Sequence, residues 1–410
     1  MRAIFFFLSI SLLIFNGLFC SGQETNISKK TSEIDKVETC RSNSKHTYQV
    51  FVPSVDPGFK QIPLLVVIDS HGDGKLAVDG FKEAAQKYQV IVAGSNLIQN
   101  NDANYIREME ELVADVKSRF PVGDILFVGG FSGGARMALG YATGHKTSGV
   151  IAYGALASAQ QLTSLNCRVF SVIGMDDFNF SEVASFVIKP HETPSNLLLE
   201  TTEATHAWPQ KSVMQQSLAY MLVSTMPPGT PAEKKKIVQE YSAEQKARID
   251  KLLKANKYIQ VALIMRNMFQ FHYFEREGSY FNSYDELANS MQYQQQVDRL
   301  SKSVQFEMNV RNGFYSAILE KDSAWWQQDV DMLNNKIETE KDEFMLSAYK
   351  RIKGFLGIFC YSMCGRFAEE RNVQNLEKVL VVYRMAEPKN PDVQLFSKKL
   401  EQLKKTISGN

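Results

Sequence analysis

Short apolar runs alternate with helix-like segments over residues 40–226, and this alternation constrains the fold of the 410-residue chain more than any other feature. The runs predicted as strands are 48–52, 64–68, 90–93, 125–128, 150–153 and 169–173. The segments predicted as helices are 80–88, 104–120, 134–143 and 211–226. Alternating strands and helices favour an α/β fold with a doubly wound, mostly parallel sheet. Several runs are continuously apolar, as expected for strands covered on both faces.

The chain changes character after residue 226. Residues 227–232 contain three prolines, which cannot sustain helical hydrogen bonding, and we interpret them as a linker. Residues 233–410 are rich in charged, amphipathic segments and predict an all-α domain. Within it, 375–385 and 393–405 flank a proline-bounded turn that resembles a tetratricopeptide-type hairpin. This helical domain is therefore our candidate surface for a protein partner.

Residues 1–22 have the three-part layout of a secretory signal peptide. Arg2 is followed by an apolar stretch and then by the small residues Cys20, Ser21 and Gly22. Cleavage near Gly22 predicts an exported protein that is periplasmic, secreted or lipid-anchored at the cell surface. Two alternatives remain open: lipid attachment at Cys20, whose context resembles a lipoprotein box, and retention of the segment as a membrane anchor.

The charge and cysteine content exclude some functions. The chain has 46 basic and 45 acidic side chains and a net charge of +1, so it has no bulk attraction for nucleic acid or anionic lipid, and we expect no nucleic-acid partner. Cys360 and Cys364 lie four residues apart without a second Cys or His pair nearby, which favours core thiols or a disulfide over a zinc site. We predict no metal and no cofactor.

The segment from Gly130 to Gly134, of sequence GFSGG, carries the sharpest chemical signal. It lies between a predicted strand and a predicted helix. A serine nucleophile must protrude from such a strained turn, and flanking glycines remove Cβ atoms that would collide with neighbouring backbone. The helix that follows directs its amide end at the site, where negative charge develops during acyl transfer. Ser132 is thus the candidate nucleophile.

An acid and a histidine follow Ser132 in the order that such a site requires. Asp176 and Asp177 come directly after the predicted strand at 169–173, and His206 lies in a loop before the last helix of the α/β unit. Upstream, a glycine-rich loop follows the strand at 64–68, and we expect the amides of Asp73 and Gly133 to form an oxyanion hole.

Together these motifs resemble the α/β-hydrolase superfamily, and more narrowly the small esterases of the dienelactone hydrolase and polyhydroxybutyrate depolymerase type. The matching motifs are HGDG at 71–74, GFSGG at 130–134, DFN at 177–179 and HAWP at 206–209. The resemblance spans residues 40–226. It implies that Ser132 is the nucleophile, His206 the general base and acid, and Asp177 the orienting carboxylate, with Asp176 as the alternative acid.

The resemblance implies a serine hydrolase, specifically a carboxylesterase that acts through an acyl-enzyme, and the signal-peptide pattern of residues 1–22 predicts that it is exported. Residues 144–168 are too few for a lid domain, which favours an open site and an accessible small-molecule or glycan-linked ester. Two alternatives are a serine peptidase of the same fold and an inactive hydrolase scaffold whose helical domain binds a protein or glycan.

Overall fold

The computed structural model describes residues 33–54, 61–225, 232–269 and 278–408. The predicted signal peptide, with Cys20, lies outside the described residues. The predicted linker also lies outside them except for Ala232, where a helix begins. Within the described ranges, no helix combines the length and apolarity needed to cross a lipid bilayer.

One sheet forms the centre of the first half. In the described ranges it has eight strands: β1 (Ile34–Thr39), β2 (Thr47–Val52), β3 (Ile62–Ile68), β4 (Ile91–Ser95), β5 (Val122–Phe131), β6 (Gly149–Tyr153), β7 (Arg168–Gly174) and β8 (Leu197–Thr202). Their order across the sheet is β1-β2-β4-β3-β5-β6-β7-β8. β2 pairs antiparallel with β1 and with β4, and every other pair is parallel. The predicted doubly wound, mostly parallel sheet is confirmed, and it is α/β-hydrolase-like.

Helices cover both faces of this sheet. The helices of the α/β half are α1 (Gly74–Tyr88), α2 (Tyr105–Arg119), α3 (Gly133–Gly144), α4 (Ala159–Ser164), α5 (Ala184–Ile188) and α6 (Lys211–Ser224). Phe81 of α1 and Leu218 of α6 pack with Val67 and Phe127 on one face of the sheet. Residues of α2 and α3, such as Leu112, pack on the other face. Burial on both faces accounts for the continuously apolar strands.

Two strands, β1 and β8, were not predicted from the sequence. β1 begins at Ile34, before the predicted domain start at residue 40, and its side chains are exposed or half-buried. An exposed edge strand carries no continuous apolar run to reveal it. β8 has the sequence LLLETT, and leucine and glutamate favour helices over strands in isolation. Its pairing with β7 decides its conformation.

The second half of the described chain is helical, as predicted. Its helices are α7 (Ala232–Lys254), α8 (Tyr258–Phe269), α9 (Gly278–Ala288), α10 (Met291–Glu320), α11 (Ser323–Thr339), α12 (Glu343–Glu369), α13 (Val373–Ala386) and α14 (Pro391–Ser408). α13 and α14 flank the proline-bounded turn that the sequence predicted. The helices range from 11 to 30 residues in length, and the tetratricopeptide resemblance stays a prediction.

The helical half packs directly on the sheet half. Ile259 and Leu263 of α8, Leu300 of α10 and Phe344 of α12 belong to the same buried core as the strands and α2. The sequence predicted an all-α domain after a linker, and an apolar core continues from the sheet half into these helices. Periodicity within a helix identifies its apolar face but not the surface that the face covers.

The cysteines of the described ranges are free thiols. Cys360 and Cys364 lie on α12 and are buried in the core of the helical half. Burial raises the pKa of the Cys364 thiol to about 12, so it is protonated at neutral pH and behaves as a small apolar side chain. The sequence left two alternatives for Cys360 and Cys364, core thiols or a disulfide, and the structure has core thiols.

Candidate active site

Ser132 lies on the sharp turn between β5 and α3. Its backbone has φ 55° and ψ −117°, a positive φ that non-glycine residues rarely adopt. Its amide donates a hydrogen bond to the carbonyl of Tyr153 at the end of β6, with an N···O distance of 2.8 Å. This bond stabilises the turn, which raises the serine hydroxyl above the carboxyl edge of the parallel strands.

The glycines around Ser132 are required by close backbone contacts. A Cβ atom at Gly134 would lie 2.1 Å from the carbonyl oxygen of Ile68 on β3, and one at Gly130 would lie 2.5 Å from the same oxygen. Both distances are far shorter than van der Waals contact. The first turn of α3 therefore packs directly against the backbone at the end of β3.

His206 contacts both of its predicted partners. Its Nε2 lies 2.9 Å from the Ser132 Oγ, and its Nδ1 lies 2.9 Å from each carboxylate oxygen of Asp177. The arrangement favours the tautomer in which Nδ1–H donates to Asp177 and Nε2 accepts from the serine hydroxyl. The side chain of Asp177 is 2% exposed and that of His206 is 17% exposed, so the acid is shielded while the imidazole is accessible.

Asp177 and Asp176 face opposite sides of their loop. The Asp177 Oδ1 accepts a hydrogen bond from the amide of Asn179, which orients the carboxylate toward His206. Asp176 instead accepts hydrogen bonds from Ser347 Oγ at 2.6 Å and Lys350 Nζ at 2.7 Å, both on α12. The structure thus brings Asp177, and not Asp176, to the imidazole.

The His206 ring lies between two aromatic side chains. Its centroid is 4.6 Å from that of Phe131 and 4.1 Å from that of Phe178. Gly154 makes room for this packing, because a Cβ there would lie 2.5 Å from the Phe131 ring and 3.3 Å from His206 Cε1. Sequence reasoning gave Phe178 no role, although it lies inside the DFN motif that carried the resemblance.

Backbone contacts hold the acid and histidine loops together. A Cβ at Gly174, the last residue of β7, would lie 2.0 Å from the carbonyl oxygen of Ala204. The Asp176 amide donates to that same carbonyl at 3.1 Å. Trp208 ties the histidine loop to β3, since its indole Nε1 donates to Asp69 Oδ2 at 2.9 Å. Sequence reasoning missed the part played by Asp69, a buried carboxylate at the end of β3.

The two predicted oxyanion donors have different surroundings. Gly133 is the first residue of α3, next to Ser132, so its amide is at the positive end of the helix dipole. Asp73 caps α1 through its side chain, and the neighbouring Gly74 contacts Gly94 of β4. These contacts join the Asp73 loop to the β4 side of β3, away from β5. The role of the Asp73 amide stays a prediction.

Asn100 is a further residue near the predicted oxyanion hole. A Cβ at Gly133 would lie 1.6 Å from the Asn100 Oδ1, so this side chain covers the Gly133 Cα. The Asn100 amide donates to the carbonyl of Ser70 at 2.9 Å, which fixes the Asn100 loop beside the end of β3. No sequence motif singled out Asn100, because only the fold brings it to Gly133.

A half-buried carboxylate lies beside the α3 helix. Glu182 Oε2 accepts a hydrogen bond from the amide of Leu156, and its other oxygen pairs with Arg136 of α3. Burial raises the pKa of Glu182, and the attraction of Arg136 opposes that shift. Among the described residues, no group of three or more His, Cys, Asp or Glu side chains is arranged to hold a metal ion.

Comparison with known proteins yields matches among solved structures only. No family model and no curated protein matches this chain. Est1E from Butyrivibrio proteoclasticus aligns with 46% of this chain and 98% of its own, with 12% identity and a TM-score of 0.37. XC6422 from Xanthomonas campestris, an α/β serine hydrolase without a lid, aligns with 50% of this chain and 100% of its own, with 15% identity and a TM-score of 0.36.

A peptidase is among the similar structures as well. The acylaminoacyl peptidase from Pyrococcus horikoshii aligns with 51% of this chain and 44% of its own, with 8% identity and a TM-score of 0.37. These structural neighbours are α/β serine hydrolases that align over about half of this chain. At this similarity they assign neither an activity nor a substrate to it.

Proposed function

We propose that the protein is a serine hydrolase that cleaves carboxylic esters through an acyl-enzyme. The observation that carries this proposal is the hydrogen-bonded series from Ser132 through His206 to Asp177. Each group has the partner that its role requires. The serine has a base to take its proton, and the base has a buried carboxylate to fix its tautomer.

The reaction proceeds in two balanced steps. His206 takes the hydroxyl proton as the Ser132 oxygen attacks the ester carbonyl, and it then returns the proton to the departing alcohol. Water repeats the sequence on the acyl-enzyme and releases the acid, which restores the serine. The Gly133 amide, at the start of α3, would stabilise the oxyanion of both tetrahedral intermediates, and one such donor contributes about 10²–10³ in rate.

The substrate is an accessible ester on a small molecule or a glycan. Its carbonyl must reach a half-buried serine that lies beside an accessible imidazole. The helical half lies close to one side of this site, because Gly354 of α12 approaches the Phe178 ring that packs on His206. The sequence favoured an open site, because residues 144–168 are too few for a lid domain. We propose instead that α12 limits the substrate on that side.

Export of the mature chain to the periplasm, the cell surface or the medium is the second part of the proposal. It rests on the three-part pattern of residues 1–22, and lipid attachment at Cys20 is the form in which the protein would stay at the surface. A protein partner for the helical half is proposed on the size of that half alone.

A pair of chromogenic substrates tests the proposed function. Purified wild-type protein is expected to hydrolyse p-nitrophenyl acyl esters and to leave a dipeptide p-nitroanilide intact. Ser132→Ala should lose about 10⁴-fold or more in ester turnover and keep its thermal unfolding transition, because the hydroxyl makes no core contact. Cleavage of the anilide in preference to the ester would identify a peptidase. Turnover of neither substrate, or undiminished turnover in Ser132→Ala, would contradict the proposal.

A further inference from the structure

Three ionised side chains are buried together in the helical half, next to the acid loop. Glu307 of α10 pairs through Oε2 with Arg351 Nε of α12 at 2.6 Å and through Oε1 with Arg311 Nη2 of α10 at 2.5 Å. Glu307 and Arg351 are 0% exposed, and Arg311 is 5% exposed. We call Glu307, Arg311 and Arg351 the arginine–glutamate cluster.

Both arginines of the cluster bind the loop that carries Asp177. Arg351 Nη1 donates to the carbonyl of Met175 at 2.7 Å, and Arg311 Nη2 donates to the carbonyl of Phe178 at 2.7 Å. These carbonyls lie on either side of Asp177 in the chain. The guanidinium of Arg351 also lies 4.8 Å from the centroid of the Phe180 ring, which closes the same turn.

Stability alone does not account for this cluster. Burial raises the pKa of Glu307 and lowers that of Arg311, while the attraction between the two side chains opposes both shifts. Buried ion pairs of this kind add little to folding stability compared with apolar side chains of similar volume. The cluster does fix geometry, because a guanidinium fork presents several donors in one rigid plane.

The cluster acts on the two groups that orient His206. Asp177 accepts from the imidazole, and Phe178 packs on its face. α12 also lies close to the Phe178 ring, since a Cβ at Gly354 would lie 3.3 Å from Phe178 Cδ1. A shift of the acid loop would therefore move the carboxylate and the aromatic support of the imidazole together.

We propose that Arg311, Glu307 and Arg351 are positioning residues of the hydrolase site, so that the helical half holds the acid loop in its catalytic geometry. The inference rests on the proposed function, in which Asp177 and His206 take part in acyl transfer. It makes the two halves of the chain a single catalytic unit.

A triple variant tests the proposal. Glu307→Met, Arg311→Met and Arg351→Met together remove the charges and the carbonyl bonds while keeping apolar bulk, a replacement that buried ion-pair sites tolerate. Ester turnover in this variant is expected to fall about 10²-fold in kcat, as for a misplacement of about 1 Å, with little change in KM. Arg351→Lys keeps the positive charge but loses the guanidinium fork, so its kcat should be between that of the triple variant and that of the wild type.

Arg266→Met is the matched control. Arg266 of α8 also reaches from the helical half to backbone carbonyls of the α/β half, namely those of Pro190, Thr193, Pro194 and Leu197, and none of these lies in the acid loop. The control should keep kcat near that of the wild type.

Amide hydrogen exchange gives a second readout that does not depend on activity. Exchange should accelerate at Asn179 and Phe180 only in the triple variant, and at residues 190–197 only in the control.

The outcomes separate the two proposals. A folded triple variant with wild-type kcat overturns the positioning role, and so does unchanged exchange at Asn179 and Phe180. If the wild-type protein has no ester turnover, the proposed function fails, and the exchange measurement still decides whether the arginine–glutamate cluster holds the loop. If the triple variant does not fold, Arg351→Lys and Arg311→Lys are measured in the same way and decide the question.

Discussion

Ser132 occupies a backbone conformation that has a cost. A positive φ at a non-glycine residue costs on the order of 1–3 kcal/mol and persists only where its surroundings enforce it. Here the Tyr153 carbonyl and the close contacts of Gly130 and Gly134 with Ile68 enforce it. As a consequence of this strained turn, the Ser132 hydroxyl protrudes toward His206.

Sequence order and local motif were enough to select Ser132 and His206 as candidates, because a strand–turn–helix motif and a late histidine are local features. They left Asp176 and Asp177 as alternatives. The two carboxylates differ only in what faces them, and the partners of Asp176 are Ser347 and Lys350, about 170 positions later in the chain. Only the packing of α12 on the acid loop separates the two residues.

Asp177→Asn is expected to lose about 10⁴-fold in ester turnover, because an amide cannot stabilise the imidazolium and favours the wrong tautomer. Asp176→Asn, the adjacent control, should keep turnover within about tenfold of the wild type, since the amide oxygen can still accept from Ser347 and Lys350 and only the partly buried ion pair with Lys350 is lost. Steady-state kinetics on one chromogenic ester measures both. A larger loss in Asp176→Asn than in Asp177→Asn would reverse the assignment.

At the scale of elements, the position of the site depends on how α3 meets β3. The helix begins where its backbone contacts the end of the neighbouring strand, whereas a Cβ added at Gly144, at its other end, would have no atom within 4 Å apart from its chain neighbours and the helix backbone. The sequence predicted α3 and β3 well because both are strongly apolar. It missed β1 and β8, whose composition is mixed and whose pairing partners are set by the rest of the sheet.

Gly134→Ala and Gly144→Ala form a matched pair in α3. A methyl group at Gly134 would overlap the Ile68 carbonyl, so this variant should lose about 1–3 kcal/mol of unfolding free energy and most of its ester turnover. Gly144→Ala should be neutral or stabilising by up to about 1 kcal/mol, since alanine favours a helix. Denaturant unfolding measures both free energies. Equal effects at the two positions would show that the contact between α3 and β3 is not what requires Gly134.

At the scale of the whole molecule, the two halves of the chain share both a core and a polar interface. Apolar residues of α8, α10 and α12 complete the core on one face of the sheet. Arg248 of α7 adds a partly buried ion pair with the buried carboxylate of Glu200 on β8, at 2.7 Å. The sequence indicated the fold class of each half, but it could not predict this interface, because partners that lie from 48 to 176 residues apart in the chain leave no local pattern.

The central claim is that Ser132 is a nucleophile activated by His206, and covalent labelling tests it most directly. A fluorophosphonate probe is added to the folded protein, and the adduct is located by peptide mass spectrometry. The account predicts a single adduct on Ser132 in the wild type, no adduct in Ser132→Ala and much slower labelling in His206→Ala. An unlabelled wild-type protein, or an adduct that persists in Ser132→Ala, would contradict it.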